Sequence, residues 1–343
     1  MENKAKSDIK QAKKLGKRLS IIGHEEILKF LENSLERGRL AHAYIFLGSE
    51  DVGKETVARW WLEKLLYQGE EGGERHSLES HPDVSVVERQ ADEKTKKLKK
   101  LISIEQIRQL RERLGLTSFL NTYKVALVRK AETMSIEASN ALLKTLEEPP
   151  GRAVIILLVQ DISRLPETVV SRCQIIKFKG VPEKLIYHAL RQRGAGRDEA
   201  ELLSRLSAGS PGLAFKFYEN PEHLAVYRDK VEAFLKITKA PIWQRFNFID
   251  SEIKTRGDRE EVLKEIKRLL LVWQGAMRDG LLCSLGFSSL MVNFWAKDQI
   301  ESWSADFSAN RLVEILEQAK NTIYNLEQNV NIKLALENFL LCF

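Results

Sequence analysis

Hydrophobic and polar positions follow two different periods in the first half of the chain. Short apolar runs such as "AYIFL", "YKVALV" and "AVIILLV" are typical of buried strands. Between them, apolar residues recur every three or four positions in "ISIEQIRQLRERLG" and "EASNALLKTLEE", which predicts amphipathic helices. Strands and helices alternate from about residue 20 to 180, and this order predicts a parallel sheet covered by helices on both faces.

The second half of the chain has helical periodicity throughout. Gly and Pro interrupt the periodicity at "SAGSPG" and "ENPEH", and a chain of 343 residues is too long for one simple core. We therefore predict a basic N-terminal arm at 1–19, an α/β domain at 20–179, a small helical domain at 180–219 and a helical bundle at 220–343.

The strand "AYIFL" leads into a candidate phosphate loop. Gly48, Gly53 and Lys54 match G-x-x-x-x-G-K, in which backbone amides wrap a phosphate and the lysine reaches the terminal phosphates. A complete loop continues with Ser or Thr, whose hydroxyl holds magnesium, but Glu55 follows here. The motif is a degenerate Walker A loop, and the residues leave ATP or ADP binding open.

A second position needed for hydrolysis also differs. The strand "KVALV" should be followed by an acidic pair that binds metal and activates water, but Arg129 and Lys130 follow it. Two cations cannot do this work, and we do not expect the nearby Glu132 to replace the pair. Two independent losses argue against ATP hydrolysis by this chain.

Composition narrows the function classes. No apolar run reaches the length of a membrane span and the N-terminus has no apolar signal segment, so we expect a cytoplasmic protein with no membrane partner. Only three cysteines occur, at Cys173, Cys283 and Cys342, and none forms a C-x-x-C pair. This spacing predicts no zinc or other metal site and no disulfide framework.

Positive charge is concentrated at the N-terminus. The net charge is +6, and seven lysines and arginines precede residue 19 against two carboxylates. Such an arm is consistent with nucleic-acid binding and with a solvated tail, and the sequence leaves both interpretations open.

Four stretches together resemble the AAA+ clamp-loader family of bacterial DNA polymerase III. They are "RLAHAYIFLGSEDVGK", "HPDVSVVE", "EASNALLKTLEEPP" and "LPETVVSRCQIIKF". The family opens the sliding clamp and places it on primed DNA. The resemblance implies an AAA+ α/β domain, a small helical lid and an all-α collar that holds the ring of subunits together. The expected partners are motor subunits of the gamma/tau type, the clamp-opening delta subunit, the sliding clamp and primed DNA.

The departures from the family pattern imply a non-hydrolysing stator. Motor subunits keep the full loop and the acidic pair, and they carry a nucleotide-sensing Arg where this chain has Gly212. The family commonly has a four-cysteine zinc knuckle before "HPD", but "LLYQGEEGGERHSLESHPD" has no cysteine, so we expect no zinc. The resemblance implies a part of the DNA polymerase III holoenzyme without an ATPase activity of its own.

The stretch Ser171-Arg172-Cys173 carries the residue expected to be functional. In the family this Arg is an arginine finger, which reaches across a subunit boundary to the neighbour's ATP, and Ser171 would support it. Arg172 precedes the last strand, which places it at a sheet edge. The alternative is a surface arginine in a solvated ion pair, and the resemblance favours the finger.

Three further cations are candidates for contact with DNA phosphates. Arg108 and Arg111 recur at helical spacing in "EQIRQLRERLG", and Lys144 lies in "NALLKTLEE". Phosphate contacts would be independent of sequence and sensitive to salt. Solvated helix faces are the alternative explanation for all three residues.

Two rival functions remain beside the stator. The first is an independently active AAA+ ATPase of DNA recombination or remodelling, against which Glu55 and the Arg129–Lys130 pair count. The second is a plain DNA-binding scaffold, for which Arg172 would have no role in turnover.

Overall fold

The chain divides into two compact units, 1–215 and 216–343. A computed structural model describes residues 21–67, 81–92, 98–118, 123–254, 259–328 and 330–343. The basic arm predicted at 1–19 lies outside the described residues. The finer division predicted from the sequence, into 20–179, 180–219 and 220–343, stays a prediction.

The first unit is built on a five-stranded sheet. Its strands lie in the order β2-β3-β4-β1-β5, and every neighbouring pair is parallel, which confirms the predicted α/β class. The central strand β4 is buried along its whole length, which explains its unbroken apolar sequence. The strands are β1 (Ala43–Leu47), β2 (Val84–Val87), β3 (Lys124–Val128), β4 (Ala153–Val159) and β5 (Gln174–Lys177).

Helices connect the strands and continue after the last one. Short 3-10 turns at Ala131–Thr133 and Ile162–Arg164 follow β3 and β4. Helix α8 begins in the first unit and crosses the boundary at residue 215. The helices are α1 (Glu25–Glu36), α2 (Lys54–Leu66), α3 (Ile104–Gly115), α4 (Ile136–Glu147), α5 (Glu167–Val170), α6 (Glu183–Gln192), α7 (Arg197–Leu206) and α8 (Pro211–Glu219).

The sheet faces a separate apolar core on each side. Ala43 and Ile45 of β1 pack into a core with α3 and α4, whereas Tyr44 and Phe46 pack into a second core with α1 and α2. This alternation follows from the two-residue period of a strand. The result is a three-layer arrangement with helices on both faces, as the sequence predicts.

A reciprocal cap fixes the start of α3. The backbone N–H of Ser103 donates to Gln106 Oε1 at 3.1 Å, and Gln106 Nε2 donates to the carbonyl of Glu88 at 2.8 Å. Ser103 is therefore the N-cap of α3. The second bond ties α3 to the segment that leaves β2, where Glu88 takes part in the site described below.

The second unit is helical, with its apolar core around Phe234, Trp273, Trp303 and Phe339. Asp279 is fully buried, and its Oδ2 accepts hydrogen bonds from the backbone N–H of Asn293 at 2.7 Å and from Asn293 Nδ2 at 2.8 Å. These bonds satisfy a carboxylate that burial alone would destabilise. The helices are α9 (Pro221–Thr238), α10 (Ile242–Lys254), α11 (Arg259–Ser284), α12 (Lys297–Ser304), α13 (Ala309–Glu327) and α14 (Ile332–Leu340).

Candidate functional site

The candidate phosphate loop lies between the carboxyl end of β1 and the first turn of α2. Gly53 has a φ of +112°, a conformation that L side chains rarely adopt. A Cβ at Gly48 would lie 2.7 Å from the carbonyl oxygen of Phe178, so a side chain would not fit there without a backbone shift. The geometry of the loop requires both glycines, whether or not a nucleotide binds.

The loop lysine is turned back onto its own loop. Lys54 is 8% exposed, and its Nζ donates to the carbonyl of Gly48 and, at 2.7 Å, to that of Ser49. Burial lowers the pKa of Lys54, and the charges of nearby carboxylates oppose that shift. Loop carbonyls and carboxylates thus surround an ammonium that would reach phosphates in a working loop. The carboxylates belong to Glu132, Glu50 and Asp51.

Glu55 and Arg129 form a direct ion pair across the position expected for magnesium. Arg129 NH2 and Nε lie 2.6 and 3.1 Å from Glu55 Oε1, and Arg59 Nε donates to the same oxygen at 2.9 Å. Arg129 NH1 donates to Glu88 Oε2 at 2.9 Å. Burial alone would raise the pKa of the Glu55 carboxyl, but the bonds from Arg129 and Arg59 outweigh it and hold that pKa below its usual value.

Two more charged residues cover the end of β3. Lys130 Nζ donates to Glu50 Oε1 at 2.9 Å. Glu132 Oε2 is buried and has no hydrogen-bond partner among the described residues. Burial raises the pKa of Glu132, against the opposing effects of the Gln160 backbone amide and of the charges on Lys54 and Lys130. Glu132 is therefore a single desolvated carboxyl beside cations, unlike the paired carboxylates that hold magnesium.

The first turn of α8 packs directly on the loop. The backbone N–H of Gly212 donates to the carbonyl of Asp51 at 2.9 Å. A Cβ at Gly212 would lie 3.0 Å from that carbonyl oxygen and 3.1 Å from the Asp51 Cβ, so a larger residue would push against the loop. A cavity of about 270 Å³ remains, with His24 and Phe215 among its walls. Small-molecule sites usually measure about 300–1,000 Å³.

These residues do not fit magnesium-bound nucleotide. The ammonium that would meet the phosphates is bonded to loop carbonyls, and the carboxylate of Glu55 takes the place of the magnesium hydroxyl. Arg129 stands where a metal-binding carboxylate is needed.

Arg172 lies at the end of α5, just before the edge strand β5. Its NH1 donates to the carbonyl of Thr168 at 3.0 Å and to Ser171 Oγ at 3.3 Å. Its NH2 lies 2.8 Å from Glu147 Oε1, and the Arg172 side chain is 37% exposed. Ser171 is exposed as well, and its hydroxyl donates to the carbonyl of Thr168 at 3.2 Å. Both residues of the predicted pair are therefore at the surface, with the guanidinium held on two sides.

Arg172 and the phosphate loop lie at opposite ends of β5. Gln174, the first residue of β5, pairs with Tyr44 near the start of β1, whereas the loop begins after the end of β1. The strand between them spans four residues, or roughly 10 Å from its first to its last Cα. Arg172 consequently cannot act on a phosphate in this chain's own loop.

The three candidate DNA-contacting cations are exposed. Arg108 and Arg111 lie on the outer face of α3, and Lys144 lies on α4, which packs beside α3. Hydrogen bonds from its own backbone N–H and from the Ser103 side chain lower the pKa of Glu105, and the charges of Arg108 and Lys99 add to this. These cations are accessible to a polyanion, but they share their surface with carboxylates.

Two broader predictions concern metals and membranes. No group of three or more His, Cys, Asp or Glu side chains in the described segments is arranged to hold a metal ion. The stretch 68–80, where the family's zinc knuckle would lie, is outside those segments. None of the helices in the described segments is long and apolar enough to cross a membrane.

Sequence reasoning identified the substituted positions but missed their partners. It did not pair Glu55 with Arg129, Lys130 with Glu50, or Arg172 with Glu147. A usable signal existed for the first pair. Glu55 stands where a hydroxyl residue is expected and Arg129 where a carboxylate is expected, so the two substitutions carry opposite charges. The pairing of Arg172 joins the last residue of α4 to the segment between α5 and β5 and has no local sequence signal.

Comparison with known proteins places these features in a family context. Residues 23–182 match the family model described as "DNA polymerase III, delta subunit". The chain is 32% identical to DNA polymerase III subunit delta' of Pseudomonas aeruginosa over 62% of this chain and 68% of that protein. It is 28% identical to subunit delta' of Bacillus subtilis over 92% and 94% of the two chains. It is 26% identical to subunit gamma of Buchnera aphidicola over 90% and 85%.

Proposed function

The chain belongs to the DNA polymerase III clamp-loader subunits, the family that includes delta-prime, gamma and tau, and within it we propose a non-hydrolysing stator of the delta-prime type. The stator helps a clamp loader place the sliding clamp on primed DNA. It contributes an arginine finger, Arg172, to a neighbouring motor subunit and hydrolyses no ATP itself.

One observation carries the proposal that this chain does not hydrolyse ATP. Glu55 and Arg129, the two positions that should hold magnesium, are joined to each other at 2.6 Å. Each replacement alone removes a metal ligand. Together the two residues form an ion pair, so the negative charge of Glu55 is already balanced by Arg129 and does not attract a metal cation. The independently active ATPase of recombination or remodelling is disfavoured for the same reason.

Three features support a finger that acts in trans. Arg172 is exposed, and it lies on the short segment before the edge strand β5. The chain's own phosphate loop lies at the other end of that strand. A guanidinium offers a planar fork of donors that matches phosphate oxygens. A phosphate within reach of Arg172 would therefore belong to another subunit.

The remaining partners follow from the same proposal. Motor subunits of the gamma/tau type would be the neighbours, with the delta subunit, the sliding clamp and primed DNA in the same cytoplasmic assembly. The helical unit from residue 216 onward would serve as the collar. Arg108, Arg111 and Lys144 would contact DNA phosphates, which fits their exposure on adjacent helices. No cofactor is required by the chain itself.

The deciding experiment uses a reconstituted clamp loader in which only the motor site facing this chain is left active. ATP turnover, stimulated by clamp and primed DNA, is compared between wild type and Arg172→Ala. We expect turnover at that site to fall about 10³-fold, the cost of losing an arginine finger, while assembly on a sizing column stays unchanged.

The rival functions give different results in the same assay. Unchanged turnover with Arg172→Ala would leave a plain DNA-binding scaffold. Turnover by the isolated chain would revive the independent ATPase, and Lys54→Met in the isolated chain would show whether its own loop is responsible.

A further inference from the structure

A carboxylate on a neighbouring helix holds the proposed finger. Glu147 is the last residue of α4, and its Oε1 lies 2.8 Å from Arg172 NH2. Helix α4 is fixed to the core by Leu142 and Leu146, each 1% exposed. Glu147 therefore projects from a rigid element, and the C-terminal end of a helix also favours a nearby cation.

The guanidinium is held from two directions. Its NH1 donates to the carbonyl of Thr168 and to Ser171 Oγ, both on the segment that carries it, and its NH2 meets Glu147 on α4. Its Nε–H has no hydrogen-bond partner in the described part of the chain. The contacts fix the plane of the fork and leave a donor for a phosphate oxygen.

We propose that Glu147 is a positioning residue, which orients Arg172 toward the neighbouring subunit's nucleotide. This inference rests on the proposed function of Arg172 as a finger in trans. A mobile arginine would sample many rotamers, and only some would reach the transferring phosphoryl group. Holding a reacting group in its productive geometry lowers the entropic part of the barrier. The pair is 37% and 51% exposed, so it contributes little to the stability of the fold.

The test is a double-mutant cycle in the reconstituted clamp loader with only the facing motor site active. Glu147→Gln removes the charge and keeps the size of the side chain. We expect kcat to fall about three- to tenfold with KM for ATP unchanged, because orientation matters in the transition state more than in ground-state binding. Glu147→Asp, which keeps the charge, should recover part of the loss.

The background of Arg172→Ala separates positioning from other roles. Glu147→Gln should have no further effect there, because Glu147 acts through the guanidinium. Glu148→Gln is the matched control, since Glu148 is the exposed next residue and forms no ion pair among the described residues. Thermal unfolding and assembly of every variant should match wild type.

Three results would overturn the inference. They are additive losses in the double variant, an equal effect of the Glu148 control, and unchanged kcat with Glu147→Gln while Arg172→Ala remains strongly impaired. If Arg172→Ala itself leaves turnover intact, the proposed finger fails first and the positioning role fails with it.

Discussion

Both ends of the first unit's sheet carry an arginine paired with a glutamate, yet the two pairs differ in what surrounds them. At the loop end, Arg129 is 23% exposed and donates to both Glu55 and Glu88. At the other end, Arg172 is 37% exposed and meets a single carboxylate, Glu147, which is 51% exposed. The first pair lines the cavity beside the phosphate loop, and the second lies at the exposed surface.

The difference shows that the hydrogen-bond partners of an arginine decide whether its guanidinium can still bind a phosphate. Arg129 is bonded to two carboxylates within its own fold, so its charge is already neutralised where a nucleotide would meet it. Arg172 has one carboxylate partner, and its Nε–H has no partner among the described residues, so an incoming phosphate can still meet a free donor at an accessible surface. Under the proposed function, the sheet has lost its phosphate chemistry at one end and kept it at the other.

Restoring the magnesium ligands gives the largest expected contrast between the two ends. We expect magnesium ATP to leave the Tm of the wild-type chain unchanged, because the loop residues are bonded to one another. The triple variant Glu55→Thr, Arg129→Asp, Lys130→Glu should gain magnesium-dependent stabilisation. At 100 times Kd the gain would be about 2.7 kcal/mol, or several degrees in Tm.

A loop-lysine variant controls this experiment. Adding Lys54→Met to the triple variant should abolish the stabilisation, since the ammonium would again be needed for the phosphates. Stabilisation of the wild-type chain by magnesium ATP would contradict this expectation, because the loop would then bind nucleotide despite its ion pairs.

A smaller effect is expected from breaking each pair in the isolated chain. Arg129→Ala leaves Glu55 and Glu88 without their shared partner and should lower the free energy of unfolding by about 1–2 kcal/mol. Urea unfolding of the cycle Glu55→Gln, Arg129→Ala should give a coupling energy of about 1 kcal/mol. The exposed cycle Glu147→Gln, Arg172→Ala should give a smaller one, about 0.5 kcal/mol or less.

Equal coupling energies in the two cycles would contradict the expected difference between the two ion pairs. They would mean that the surroundings of the two ion pairs do not differ in energy, whatever their exposure. A larger coupling energy for Glu147 and Arg172 would indicate that this ion pair contributes mainly to the stability of the fold.

The fold was largely predictable because its signals are local. The unbroken apolar run of β4 predicts a buried central strand, and Ser103 with Gln106 marks the start of α3. The apolar run "AYIFL" predicts a strand at Ala43–Leu47, which are the bounds that the structure has. Each of these features depends on residues that are close neighbours in the chain.

The site was predictable only in part because its decisive contacts join distant segments. Glu55 and Arg129 are 74 positions apart, and their contact requires the packing of α2 against the end of β3. The return of the Lys54 ammonium to the carbonyls of Gly48 and Ser49 depends on the loop's backbone, which no residue pattern specifies. The sequence showed which positions had changed, and the structure showed what the new residues bind.

A pH dependence should separate the two carboxyls near the loop. The folded-state pKa of Glu55 lies below its usual 4.5, so its contribution to stability is present above pH 4.5 and is lost as the pH falls through the lowered value. Glu55→Gln should therefore be less stable than wild type at pH 7, by about 1 kcal/mol or less, and the difference should shrink below pH 4.5. Urea unfolding at several pH values measures this.

Glu132 should show the opposite sign in the same experiment. Burial raises its folded-state pKa above the usual 4.5, so the stability linked to it is present below pH 4.5 and is lost as the pH rises through the raised value. Glu132→Gln should then gain stability relative to wild type between acid pH and pH 7. If the free energies of unfolding of Glu55→Gln and Glu132→Gln change with pH in the same direction, the charge arrangement described at the loop is wrong. Changes in opposite directions mean that cations stabilise the Glu55 carboxylate and that burial destabilises the Glu132 carboxylate.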